Sequence, residues 1–399
     1  MIGSPSMAMS SRFATTLLSA GAVALLLAAT PSVSHADESS MEGMDHSKMD
    51  MGSMDHSKMD MGSMDHSMGG MKMDMAPDAE GRIMHDMKHK MAPALFQELR
   101  DKIALFKNYS DAEIALSMDM MGPEYAWYIS PPTLKGPQGV LILTHGFGDA
   151  GDKVFKNEVA SIGQIFPTAM GIGMAMMMSE NIQVAVDKLT DAGAKEIAVV
   201  PITSTANNEL YRQWLYIFGQ QAKPEFASVP QVHTKAKLIF VKPPGDDPLV
   251  AEILIDDALA LSKDPKKELV IIAAHGPSDA KDNEDELRQL ANLAKVVKQD
   301  GGFAEVRGMT LQDDAPPAIR QANVQKMRDV IEAATKKGQH VIIVTNLISP
   351  RSIQAKLRKD LAGLQYDFSA TGLVEHPNFM KWMGMAVRMA FQDNPLPKN

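Results

Sequence analysis

Two apolar runs stand out along the chain, Val140-Leu-Ile-Leu and Val270-Ile-Ile-Ala-Ala, and neither alternates with polar residues. A run that is apolar on both faces predicts a strand covered on both sides, as in a parallel sheet. Each run is followed by the same punctuation, giving Val140-Leu-Ile-Leu-Thr-His-Gly-Phe-Gly-Asp149 and Val270-Ile-Ile-Ala-Ala-His-Gly-Pro-Ser-Asp279. Further strands are predicted at 169–178 (a Met-loaded strand or strand-to-loop passage), 196–202 and 238–241 after the first run. After the second they are predicted at 303–309, 340–344 and 368–373. Helical spacing falls between them. One helix is expected from about Asp152. A second carries Ile182, Val186 and Leu189 on one face, and others cover 248–261, 283–299, 322–336 and 377–391. Strands alternating with helices predict right-handed parallel βαβ units.

The order of elements is the same on both sides of a polar linker, Lys263-Asp-Pro-Lys-Lys267. His145 and His275 lie 130 residues apart, and Asp247-Pro248 precedes His376-Pro377 by 129. A tandem duplication explains both offsets. It predicts two α/β lobes, 139–262 and 268–391, each a four-stranded parallel sheet flanked by helices. Each presents a histidine where the first strand gives way to loop, the end of an open α/β sheet at which ligands bind. Residues 92–138 are expected to be a helical connector. Leu95, Phe96, Leu99, Ile103 and Phe106 share a helix face there, and Ser110-Asp-Ala-Glu113 is a capping-box pattern opening a second helix.

The first 91 residues follow other rules. Arg12 is the only charge in residues 1–36, residues 17–29 are apolar, and Ser34-His-Ala36 offers small residues for cleavage. This is the pattern of a secretory signal peptide. The apolar run is short of the roughly 20 residues that span a bilayer. The expectation is a periplasmic or secreted protein with no stable membrane anchor after cleavage. Residues 37–91 form a Met/His-rich tail in which MDHSKMDMGS occurs twice and then fades. A segment with so few aliphatic side chains buries no core and is expected to be disordered.

The chain of 399 residues has 32 Met and no Cys, so disulfides and thiolate metal sites are excluded. Its net charge of −9 argues against a nucleic-acid partner. The tail holds 12 acidic and 6 basic side chains, and therefore most of that imbalance. Thioethers are soft ligands that favour Cu(I), while imidazole and carboxylate favour divalent ions. Met44, His46, Met49 and Met51 recur as Met54, His56, Met59 and Met61, followed by Met64, His66 and Met68. Copper is the expected ligand of this series. Repeats of this type are similar to those of periplasmic copper-resistance proteins.

Beyond the tail, His-Gly-x-x-Asp after the first strand and the approach Ala192-Gly-Ala-Lys-Glu-Ile-Ala-Val-Val-Pro201 resemble the class II tetrapyrrole chelatases. Within that class the pattern resembles the sirohydrochlorin cobaltochelatase/ferrochelatase (CbiX-type) family, over about residues 139–391. The resemblance implies two chelatase-like lobes with a tetrapyrrole held between them. It also implies a divalent metal (Co, Fe or Ni) in that cleft, with His145 and His275 as catalytic metal ligands. Asp149 and Asp279 either orient those imidazoles or cap the following helices. The family also places a histidine beyond the third strand. Here those positions read Thr203-Ser-Thr-Ala-Asn-Asn-Glu209 and Leu347-Ile-Ser-Pro-Arg-Ser352, with Glu209 as the available substitute. The implied activity is lyase-type insertion of cobalt or iron into a tetrapyrrole. The alternative is a non-catalytic binding, buffering or resistance protein for copper, cobalt or nickel on the same fold. A hydrolase reading of Thr144-His-Gly-Phe-Gly fails because no Gly-x-Ser-x-Gly nucleophile elbow is present.

Overall fold

A computed structural model describes residues 76–85, 92–176, 178–349 and 352–394. The expected signal peptide and the tail positions from Met44 to Met68 lie outside the described residues. In chain order the elements begin with β1 (Arg82–His85), α1 (Pro93–Lys102), α2 (Asp111–Met120) and β2 (Glu124–Tyr128). The first lobe continues with β3 (Gln138–Thr144), α3 (Gly148–Gly163), β4 (Thr168–Ile172), α4 (Glu180–Asp191), β5 (Glu196–Pro201), α5 (Glu209–Ile217), β6 (Lys237–Phe240) and α6 (Pro248–Leu261). The second comprises β7 (Glu268–Ala274), α7 (Ala280–Gly301), β8 (Glu305–Thr310), α8 (Pro317–Lys336), β9 (His340–Thr345), α9 (Ser352–Asp360), β10 (Asp367–Phe368) and α10 (Pro377–Asp393).

The duplication is visible in the strand order. The first sheet runs β1-β2-β4-β3-β5-β6 and the second β10-β9-β7-β8. In each, the lobe's own four strands lie in the order second, first, third, fourth, all parallel. The first strand of each lobe is therefore central, and connections leave it in opposite directions. Its carboxyl end is the topological switch point.

Period-2 alternation sorts the strand side chains into layers. Val140 and Ile142 of β3 and Val270 and Ile272 of β7 enter one shared core, with Phe155 of α3, Leu290 of α7 and Trp382 of α10. Leu141 and Leu143 face outward onto α4 and the connector helices. Leu269 and Ile271 face α8 and α9. The layers are thus helices, sheet, a central helical layer, sheet and helices. Two helices of the central layer cross over. α6 packs on β9 and α7 of the second lobe, whereas α10 packs on β5, β6 and α3 of the first. The offset pair noted in the sequence starts both helices. Asp247 Oδ1 accepts from the Leu249 N–H at 2.9 Å, and His376 Nδ1 accepts from the Asn378 N–H at 3.2 Å. His376 is thus a helix cap, with Nε2 3.2 Å from Asp256.

The structure departs from the sequence reading in four places. Glu124–Tyr128, expected within a helical connector, is a strand antiparallel to β4. Arg82–His85, at the end of the expected tail, pairs antiparallel with it, so the first sheet has six strands. Local periodicity does not reveal an edge strand whose partner is over 40 residues away. The last strand is two residues long rather than 368–373. Helices α5 and α9 were not anticipated, although α5 carries Leu210, Trp214 and Ile217 on one buried stripe. The capping box at Ser110 is present, with Glu113 Oε2 accepting from the Ser110 N–H at 2.6 Å.

Candidate metal site at the switch points

Both candidate histidines sit one residue past a central strand, and the glycine after each turns the chain. Gly146 has φ of +93° and Gly276 of +74°. A side chain at Gly276 would also collide, because its Cβ would lie 2.7 Å from Thr310 Cβ and 2.9 Å from the Gln312 nitrogen. The His275 loop is therefore pressed against the end of β8.

That pressure brings in residues the sequence reading missed. His275, Asp313 and Asp314 each offer a ligand atom, and these atoms all lie within 4.8 Å of one another. Asp314 Oδ2 is 3.5 Å from His275 Nε2 and largely exposed. Asp313 is committed elsewhere, since Oδ1 accepts from Arg320 Nε at 2.7 Å and Oδ2 from Lys356 Nζ at 2.8 Å. Burial alone would raise its carboxyl pKa, but Lys356 and Arg320 hold it below the usual range. A signal for the pair existed, because Gln312-Asp313-Asp314 follows the second strand of its lobe. The matching loop of the first lobe reads Gly173-Met-Ala-Met176, so the duplication hid it.

His275 Nδ1 lies 3.0 Å from the Gly276 carbonyl oxygen. A carbonyl only accepts, so Nδ1 carries a proton, and in the neutral ring Nε2 holds the lone pair on the side of Asp314. Burial works to lower the His275 pKa, but Asp314, the Gly276 carbonyl and Asp313 outweigh it and raise it. His145 keeps access to solvent, yet the cleft walls crowd its ring. That burial, followed by the charge of His275, lowers its pKa. His145 senses the charges of both His275 and Asp314. A pocket of about 200 Å³ opens beside His145, walled by Arg82, Met84, Met121 and Tyr125 of the added strands and their approach. Behind it, Asp152 accepts from the Phe147 N–H at 2.6 Å and from Tyr125 Oη at 2.7 Å, pinning the turn after His145.

The remaining candidates have structural partners. Asp279 caps α7, accepting from the Lys281 N–H at 2.8 Å. Asp149 lies in the first turn of α3, paired with Arg82 at 2.6 Å and Lys153 at 2.8 Å. Glu209 binds across the lobes, with Oε1 accepting from Ser278 Oγ at 2.7 Å and from the Ser278 N–H at 3.1 Å. It fastens the loop that carries His275. Buried Glu286 lies close by, its carboxyl pushed up to about 7 by burial despite the pull of His275.

The His275 imidazole and the exposed Asp314 carboxylate, with the His145 imidazole at the equivalent switch point, are donors that suit a borderline divalent ion. Such a set holds the ion less firmly than thiolates would. Among the described residues no helix is long and apolar enough to cross a membrane.

No family model matches the chain, and no curated protein matches it. Among solved structures the chain is similar to SirB from Bacillus subtilis with Fe3+, at 16% identity and a TM-score of 0.49, covering 65% of this chain and 98% of that one. It is also similar to CbiX, described as the terminal enzyme for biosynthesis of siroheme in denitrifying bacteria, at 17% identity and a TM-score of 0.41, covering 63% and 99%. DR2241 from Deinococcus radiodurans, a multi-domain protein with structural similarity to chelatases, matches at 15% identity and a TM-score of 0.42, covering 66% and 57%. Identities this low assign no activity to the chain.

Proposed function

We propose that this chain is an exported metal-binding protein of chelatase type, which holds a divalent ion (Co, Fe or Ni) between His145 and the His275–Asp314 pair. The observation that carries this reading is the convergence of His275, Asp313 and Asp314 within 4.8 Å, at the switch point equivalent to that of His145. Imidazole and carboxylate together also suit passing an ion on. Insertion into a tetrapyrrole asks for groups that accept the pyrrole protons, and a neutral imidazole does this near pH 7. The engagement of Glu209 favours the second reading, a protein that binds and buffers metal without inserting it. The glutamate standing where the family has its second histidine is already hydrogen-bonded across the seam.

The tail fits the same role as a separate store. Its thioethers and imidazoles from Met44 to His66 would collect copper outside the lobes, and the signal sequence would deliver both parts to the periplasm or beyond.

Equilibrium dialysis against Co²⁺ tests the cleft, comparing a chain that lacks residues 41–75 with its His145→Ala/His275→Ala variant. The variant should bind one fewer equivalent, and Asp314→Asn should weaken that equivalent about tenfold or more, as expected for a lost ligand or ligand partner. Equal Co²⁺ binding by parent and variant would show the histidines to be structural. Deleting residues 41–75 should itself abolish most Cu(I) binding and leave core melting unchanged. If the parent chain binds Co²⁺ yet metallates no tetrapyrrole, the buffering reading stands over the enzyme.

A further inference from the structure

The two strands added to the first sheet hold a second cluster of ligating groups, on the face turned away from the cleft pocket. β1 and β2 pair antiparallel, and His85 is the direct partner of Glu124. Side chains of directly opposed residues project from the same face, with Cα atoms about 4.5–5.5 Å apart. Alternation puts Met84 and Tyr125 in the shared central core, and Ile83 and Ala126 in the outer core against α4. His85 and Glu124 belong to the second set. There His85 Nε2 lies 4.0 Å from Oε2 of Glu180, the first residue of α4, whose charge also reaches Glu124.

Glu124 is held there by the loop after β4. Its Oε1 accepts from the Ala175 N–H at 3.0 Å. Ala175 adopts a φ of +52°, unfavourable for a residue with a Cβ. Gly173 makes room for the carboxylate's stem, since a Cβ at that position would lie 2.4 Å from Glu124 Cγ. The residue is 4% exposed, and its Oε2 has no hydrogen-bond partner among the described residues. An unpartnered carboxylate oxygen at that depth is costly unless a proton or a cation satisfies it. Burial, with the charge of Glu180, pushes the group up to about 8 despite the pull of the Ala175 and Met174 N–H groups.

We infer that His85, Glu124 and Glu180 form a second divalent-cation site, separate from the cleft and built on the strands that the first lobe adds to the duplicated plan. One imidazole nitrogen and two carboxylates from three elements are a donor set for a first-row ion such as Zn²⁺, Co²⁺ or Ni²⁺, with water completing the shell. The cation would supply the partner that Glu124 Oε2 lacks. It would also tie β1 to α4, so occupancy should stabilise the edge of the sheet. The inference does not depend on the cleft reading.

The test uses the full chain. Co²⁺ bound at saturation is counted by dialysis for wild type, Glu124→Gln, His275→Ala and the double variant, with melting curves confirming that each is folded. Glu124→Gln keeps the shape and removes a buried charge, so it should fold at least as well as wild type. It should bind one equivalent fewer, and the double variant one fewer than His275→Ala. Glu180→Gln, at a half-exposed position, serves as the second variant should Glu124→Gln fail to fold, and should show the same loss. Crystals soaked in Zn²⁺ should show an anomalous peak among the three side chains. A folded Glu124→Gln or Glu180→Gln that keeps the wild-type count, with no such peak, overturns the site. If each single variant loses one equivalent and the double variant loses no more than one, its independence from the cleft is overturned.

Discussion

Single residues set the shape of the candidate site, and the two turn glycines make this measurable. Gly276 combines a φ of +74° with two contacts below 3 Å that a Cβ would make, one of them to backbone. Gly146 has a comparable φ, but its Cβ would come no closer to a neighbour than 3.2 Å, to Ile172 Cγ2. Gly276→Ala should therefore cost about 3 kcal/mol, combining left-handed strain with overpacking, and Gly146→Ala about 1–2 kcal/mol. Denaturant titration checks the order, and equal costs would contradict the packing argument. Glu268 gives a pH dependence. Burial would raise its carboxyl pKa, but Ser262, the Asp264 and Lys263 N–H groups and His340 hold it at about 2 against an ordinary 4.5. A depressed folded pKa stabilises above the unfolded value, and that stability is lost as pH falls through the folded one. Stability should thus decline between about pH 4.5 and pH 2, and Glu268→Gln should flatten that decline. An unchanged acid limb would show that the network around His340 contributes nothing.

At the scale of elements, the crossed helices carry most of the consequence. α10 ends the chain of the second lobe but covers the sheet of the first, with Phe379, Trp382, Met383, Val387 and Phe391 buried. Phe379 is 1% exposed and Trp382 packs beside it at a tilt, ring centroids 5.2 Å apart. Phe379→Ala should cost about 3–5 kcal/mol, the usual range for emptying a buried phenylalanine site. The damage should reach the first lobe, and loss of amide-exchange protection in β5 and β6 would show it. Protection lost only in β9 and β10 would contradict the exchange of helices.

For the whole molecule the shared core has a further consequence. Side chains from both sheets and from α3, α6, α7 and α10 form one apolar cluster, and Glu209, Arg212 and Thr371 add polar ties across the seam. Neither lobe can bury its inner face without the other. Thermal unfolding of residues 76–394 should therefore be a single transition seen alike by far-ultraviolet dichroism and tryptophan fluorescence. Two resolved transitions would show that the lobes are independent domains. The same coupling holds the two histidine loops at a fixed relation.

The sequence by itself determined the α/β class, the four parallel strands of each lobe and the positions of His145 and His275. Those features rest on local rules: continuous apolar runs, helical spacing and a repeated His-Gly turn. Even the helix starts at Asp247 and His376 were legible as a matched pair. Only the tertiary structure decided that β1 and β2 join the first sheet, because an edge strand is defined by a distant partner. Only it placed Asp313 and Asp314 beside His275, since the two loops meet through the β7–β8 pairing and not through sequence proximity. It also turned Glu209 from a candidate ligand into a tie between lobes. A carboxylate's role depends on which donors reach it first, and those donors lie about 70 residues away, on Ser278 and Asp279.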